Sequence, residues 1–194
     1  MLKPAGLVQK GRSRTWLDDH DWWLGVVEFQ PSAWTRGSYL NVGVMWLWHP
    51  DRDHVYFDLG HRIDDAGFIE WTGDEALFEA AMLNVAERAL QEIQHFRMRL
   101  ASLPEAASVL DAQAVTHGGW ALWNAAAACI LLEENERALT HLQAITAGPS
   151  SPPYWVQAER RAAELQATLR DDPRAARAQL NRWIRNYRAA LKLP

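Results

Sequence analysis

"EFQPSAWTRGSYLNVGVMWLW", residues 28–48, decides the fold: it holds three tryptophans and a tyrosine but only two charged side chains. From Ser38 onward the positions alternate. Leu40, Val42, Val44, Trp46 and Trp48 form a uniformly apolar row, and Tyr39, Asn41, Gly43, Met45 and Leu47 a mixed one. A period of two is that of a strand, whose successive side chains project to opposite faces. Upstream, "WWLGVVEFQ" (22–30) alternates too, with Trp23, Val27 and Phe29 on one side and Trp22, Leu24, Val26, Glu28 and Gln30 on the other. "PSAWTRG" (31–37) joins the two runs, and the charged "DDHD" (18–21) reads as a turn back to "RTWL" (14–17). "HVYFDLG" (54–60), after the turn "HPDRD", supplies a fourth strand, so the sheet is expected over residues 13–60.

Beyond residue 72 the period becomes helical. "TGDE" offers a capping box with Thr72 as N-cap and Glu75 three residues later. Met82, Leu83, Ala86, Leu90 and Ile93 recur at three- and four-residue intervals, which predicts a long helix over 74–101 lying across the apolar face of the sheet. Pro104 ends that pattern, and a shorter helix follows over 105–115. After "HGG" (117–119) helices are expected over 120–133, 136–147, 154–170 and 173–191. "GPSSPP" (148–153) interrupts them, and "DDP" (171–173) is a cap followed by proline at the first helical position. The expected fold class is α+β: a small antiparallel sheet packed on a long helix, followed by a C-terminal bundle of about four helices. The expected domains are 1–117 and 118–194. Trp120 and Trp155 stand 35 residues apart, each opening a helix pair, which resembles tetratricopeptide-type hairpins; Asn124 and Ala127 depart from that pattern, which has a small residue and a tyrosine there.

Composition bounds the function. Hydrophobic residues make up 48% of 194, enough for a packed core. The net charge of −4 argues against bulk attraction to nucleic acid or anionic lipid. It is unevenly spread: residues 1–117 hold 10 basic and 17 acidic side chains, residues 118–194 hold 10 and 7. The single cysteine, Cys129 in "NAAAACILL", reads as a small buried hydrophobe and supports neither a disulfide nor a zinc site. No apolar run approaches the roughly 18 residues of a membrane span. "MLKPAGLVQKGRSR" lacks the apolar centre of a signal peptide, so a cytoplasmic location is expected. No pattern calls for a metal or cofactor. Six of the eleven tryptophans fall in the first 50 residues, where they fill the core of a small sheet and leave some rings for recognition.

Four motifs occur in order: "LKPAGL" (2–7), "QKGRSRTW" (9–16), "VVEFQPSAW" (26–34) and "YLNVG" (39–43). On these the first 65 residues resemble a bacterial domain family of unknown function, with a Leu-Lys-Pro-x-Gly opening, a strand ending in Gln-x-Ser and a Tyr-x-Asn-x-Gly strand. Leu7 stands where that family has an aromatic residue. The resemblance implies an α+β domain and no particular reaction.

Four groups of side chains are candidates for function. "HPDRDH" gathers His49, Asp51, Asp53 and His54, but neighbouring turn residues diverge, and a solvated turn is the expectation rather than a metal site. "GHRIDDAG" holds His61, Arg62 and Asp64, a set able to perform acid–base work on an anionic or phosphorylated substrate, although no nucleophile motif accompanies it. Gln30, Trp34, Tyr39 and Asn41 could form a recognition patch on the mixed face. In the last helix Arg174, Arg177, Arg182, Arg185, Arg188 and Lys192 share an arc of about 140°, apart from the apolar stripe of Leu180, Trp183, Ile184, Tyr187 and Leu191. Such a stripe suits an acidic partner or the acidic first part of the chain; nucleic acid comes last, because one short stripe on an acidic protein binds weakly. The function expected is that of a non-catalytic interaction protein, of an immunity or accessory type, with a protein partner, acidic or a second copy of the chain. The alternatives are the enzyme at His61, Arg62 and Asp64, and a weak nucleic-acid binder through Arg182, Arg185 and Arg188.

Overall fold

The computed structural model describes residues 1–50, 52–117, 119–147 and 156–193, with His61 and Asp65 described in their backbone alone. Asp51, the 148–153 turn and Trp155 therefore lie outside the described residues. The chain is α+β and forms two compact units: residues 1–47 with 53–98, and residues 48–52 with 99–194.

The first unit holds a six-stranded antiparallel sheet: β1 (Val8–Gln9), β2 (Thr15–His20), β3 (Trp23–Pro31), β4 (Gly37–Trp46) and β5 (Leu59–Arg62) in sequence order, with β6 (Ile69–Glu70) paired to the start of β4. The register sets Trp23 opposite Trp46, Val27 opposite Val42 and Phe29 opposite Leu40, so the two apolar rows share one face as the alternation predicts. The turn before β3 is shorter than expected. Asp18, Asp19 and His20 continue β2, and Asp21, at φ 61°, makes the reversal with Trp22. That reversal breaks the alternation, and Trp22 stacks on Trp46 (ring centroids 5.9 Å apart, planes 4° apart) instead of joining the row of Leu24. The fourth strand lies later than the sequence suggested. Residues 56–58 run back along β4 with irregular bonding: the Tyr56 amide donates to Met45 Sδ (3.2 Å), the Trp46 amide to Asp58 Oδ2 (2.8 Å) and the Asp58 amide to Val44 O (2.9 Å). The ladder forms only at Leu59–Arg62, where Gly60 faces Gly43.

Helix α1 (Glu75–Arg99) crosses the apolar face. A Cβ on Gly25 would come within 2.8 Å of Ile93 Cδ1, and Arg97 reaches Asp18 on β2. Its buried stripe is Val85, Ala86, Ala89, Ile93 and Phe96, while Leu83 is exposed. Small alanines allow close approach to a face already crowded with indoles. Asp74, not Thr72, caps the helix, its carboxylate accepting from the Leu77 amide (3.1 Å); Gly73, at φ 94°, turns the chain and leaves Thr72 outside.

The second unit contains α2 (Leu103–His117), α3 (Gly119–Leu131), α4 (Asn135–Thr146), α5 (Val156–Asp171) and α6 (Pro173–Leu191). Ser102 caps α2, its hydroxyl accepting from the Glu105 amide (3.4 Å) and donating to Glu105 Oε2 (3.0 Å), so Pro104 begins α2 as much as it terminates the preceding pattern. Helix α3 is central: Trp123 through Ile130 are all buried, and it packs on α2, α4 and α6. For this reason α2 belongs with the helices, and the units divide at Met98 rather than at residue 117. Trp48 also belongs here, because its indole N–H donates to buried Asn124 Oδ1 (3.0 Å). At the start of α6, Asp172 accepts from the amides of Arg174 (2.9 Å) and Ala175 (3.2 Å), with Pro173 following, as "DDP" predicts.

Candidate functional site

The β3–β4 connection closes one end of the sheet. The Ser32 hydroxyl accepts from the amides of Trp34 (3.1 Å) and Thr35 (3.3 Å), and the Ser32 amide donates to Gly37 O (3.3 Å). This short serine turn holds Trp34 outward at 96% exposure, the most exposed large apolar side chain among the described residues.

Behind the loop, the mixed face carries a polar network. Asn41 Nδ2 donates to Glu28 Oε2 (2.9 Å) and Gln30 Oε1 (3.0 Å). Arg62 Nη2 donates to the same Gln30 oxygen (2.7 Å), and its guanidinium carbon lies 4.0 Å from the Tyr39 ring centroid. Three of the four residues expected as a patch, Gln30, Tyr39 and Asn41, thus come together, and Arg62 joins them from the neighbouring segment. The pairing follows from register: Asn41 lies opposite both Glu28 and Arg62. Gly43 does admit a close backbone, that of its own neighbour strand, since a Cβ there would lie 2.3 Å from Leu59 O. A small cleft of about 440 Å³ opens over Gln30, Asn41, Phe57, Gly60 and Arg62.

The described side chains of the 61–64 segment, Arg62, Ile63 and Asp64, gather no such network of their own. His61 pairs with Val42 in the ladder, one register position from the Asn41–Arg62 pair, and its side chain lies outside the described set. Asp64 opens a 3-10 turn (Asp64–Ala66) and is exposed. Arg62 is committed to Gln30, Asn41 (Nε to Oδ1, 3.4 Å) and Tyr39. On α6, Arg182 and Arg185 are exposed and Arg188 is half-buried, while Arg177 pairs with Glu133. Part of the basic stripe is therefore neutralised within its own unit.

Two further clusters combine buried and ionisable groups. Arg97 grips Asp18 with Nε on Oδ2 (2.9 Å) and Nη2 on Oδ1 (2.6 Å), and also donates to Ala5 O (2.9 Å); His20 Nε2 lies 2.7 Å from Asp18 Oδ2. Burial opposes ionisation of Asp18, but the bonds from His20 and Arg97 prevail and hold its carboxyl below the ordinary range. In the helical unit Asp111, Cys129 and His141 place ligand-type atoms within 4.8 Å of one another, a grouping of three helices that spacing alone does not reveal. These residues could in principle hold a metal ion, yet Asp111 already spends Oδ1 on His141 (2.8 Å) and Oδ2 on Arg137. Burial pushes the Cys129 thiol up to about 11. Of the "HPDRDH" candidates, His49 is buried, its ring 4.9 Å from Trp120 and 6.4 Å from Trp123, and His54 pairs with Asp53 in the exposed turn.

No family model matches the chain, and no curated protein or solved structure shows significant similarity to it. Sequence reasoning missed Arg12, Arg14 and Arg36, which line a groove at the same end of the sheet as Trp34. The signal available was the basic run "QKGRSR" beside an aromatic strand. Among the described residues no helix is long and apolar enough to cross a membrane.

Proposed function

We propose that the protein is a non-catalytic interaction protein that docks on a protein partner through the β3–β4 loop, with Trp34 as the anchor. The observation that carries this reading is the 96% exposure of Trp34 on a loop fixed by its own hydrogen bonds. An indole in water gains most by filling a pocket on another molecule, and tryptophan is over-represented among residues that dominate binding energy. A preformed turn reduces the entropy lost on docking.

Affinity purification from the producing cells, with the unmodified chain and Trp34→Ala compared, tests the reading. One partner should be recovered in fixed proportion with the unmodified chain, and Trp34→Ala should weaken it by about 30-fold or more. Equal recovery by the variant contradicts the proposal. Recovery of only a second copy of the chain reassigns the loop to a homodimer contact.

A further inference from the structure

On the α1 side of the sheet, below the β3–β4 loop, lies a half-open groove of about 680 Å³. Its floor is Trp16 of β2 and Phe29 of β3, and Trp71 and Phe78 wall it, their rings 5.3 Å apart at 77°. Three arginines stand at its rim. Arg12 and Arg14 come from the β1–β2 turn, which is tied by Ser13 N to Lys10 O (3.0 Å), Lys10 N to Thr15 O (2.9 Å) and Gln9 Nε2 to Ser13 O (2.7 Å). The third is Arg36, whose guanidinium carbon lies 4.6 Å from the Trp71 ring centroid.

Among the described residues no carboxylate lines this groove and no ion pair engages its three arginines. Arg88, Arg97, Arg137 and Arg177 of the same chain each have an acidic partner. In a protein of net charge −4, three uncompensated guanidinium groups around aromatic walls form a local positive field that selects an anion. The flat ring surfaces select a flat apolar body. Guanidinium forks match carboxylate and phosphate oxygens in pairs. The volume lies inside the range of about 300–1,000 Å³ typical of small-molecule sites.

We propose that this groove binds a small organic anion, an aromatic or similarly flat body bearing a carboxylate, phosphate or sulfonate. The body lies on Trp16 and Phe29, and the charge is held by Arg12, Arg14 and Arg36. The site does not depend on the docking role of Trp34.

The probe is 8-anilinonaphthalene-1-sulfonate, a flat apolar anion whose fluorescence rises on leaving water, titrated into the full chain. Saturable binding at one site is expected, weakened about 30-fold in Arg12→Ala/Arg36→Ala and unchanged in Arg182→Ala/Arg185→Ala, with far-ultraviolet circular dichroism confirming that each variant folds. N-phenyl-1-naphthylamine, the same body without the sulfonate, should bind about tenfold more weakly. In the unmodified chain labelled with 5-fluorotryptophan, the Trp16 and Trp71 resonances should move with the dye while those of Trp120 and Trp183 stay. Absent or non-saturable binding, equal binding by the Arg12/Arg36 variant, or shifts confined to Trp120 and Trp183 overturn the proposal. Displacement of the dye by the peptide acetyl-Glu-Glu-Trp-Glu-Glu-amide at lower concentration than by indole-3-acetate also overturns it, and gives the groove to an acidic protein partner instead.

Discussion

Asp18 shows what the residue scale adds. It lies within a strand at 3% exposure, yet it stays ionised because Arg97 and His20 supply hydrogen bonds to its oxygens. "DDHD" reads as a turn because nothing local signals that an arginine 79 positions away will neutralise its first residue. Asp18→Asn should cost about 3 kcal/mol in urea unfolding, since it leaves the Arg97 charge without its partner. The pH dependence follows from the lowered carboxyl. The unfolded chain takes up the proton first, so this contribution is complete above about pH 4 and is lost as pH falls through the lower folded-state value. In Asp18→Asn that part of the acid limb should disappear; an unchanged acid limb contradicts the assignment. Cys129 has the opposite sign. Its buried thiol is raised to about 11, so the stability it contributes is whole below the unfolded value of about 8.5 and falls as pH rises from there. A thiol-directed disulfide reagent at about pH 9 should therefore modify the native chain only as fast as it opens. Immediate stoichiometric labelling would show that Cys129 is not enclosed by α3 and its neighbours.

At the scale of elements, the sheet depends on one close approach. Gly60, at φ 118°, brings its strand so near β4 that a Cβ there would lie 2.3 Å from Gly43 Cα. Gly60→Ala should cost more than about 2 kcal/mol, from both backbone strain and collision. Gly11→Ala shares a positive φ (57°) but meets nothing within 4 Å and should cost about 1 kcal/mol. Similar losses for both in thermal unfolding would refute the β4–β5 packing. Strands β3 and β4 and helices α3 to α6 are legible in the sequence because each carries its own period or cap, Asp172-Pro173 above all. "HVYFDLG" misleads because only its last two residues, Leu59 and Gly60, enter the ladder, while Phe57 packs on Gly43 instead. Thr72 misleads because a left-handed Gly73 passes the cap to Asp74.

For the molecule as a whole, the α+β class follows from the switch of period near residue 72, but the grouping of its parts does not. Asn124, which departs from the tetratricopeptide pattern, holds Trp48 and so binds the 48–52 segment into the helical unit. Arg12 and Arg14 share one turn, but Arg36 joins them only through strand pairing. The patch at Gln30, Tyr39 and Asn41 was readable because all three lie on one alternating face, whereas Arg62 joins it through the register of β5. The central claim is that the loop end of the sheet is where this protein meets another. The most direct measurement places the photo-crosslinking residue p-benzoylphenylalanine at position 34 in the producing cells, and in a separate variant at position 115, where Val115 on α2 is 87% exposed. The account predicts one discrete adduct with a different protein from position 34 and none from position 115; equal, diffuse labelling from both positions would contradict it.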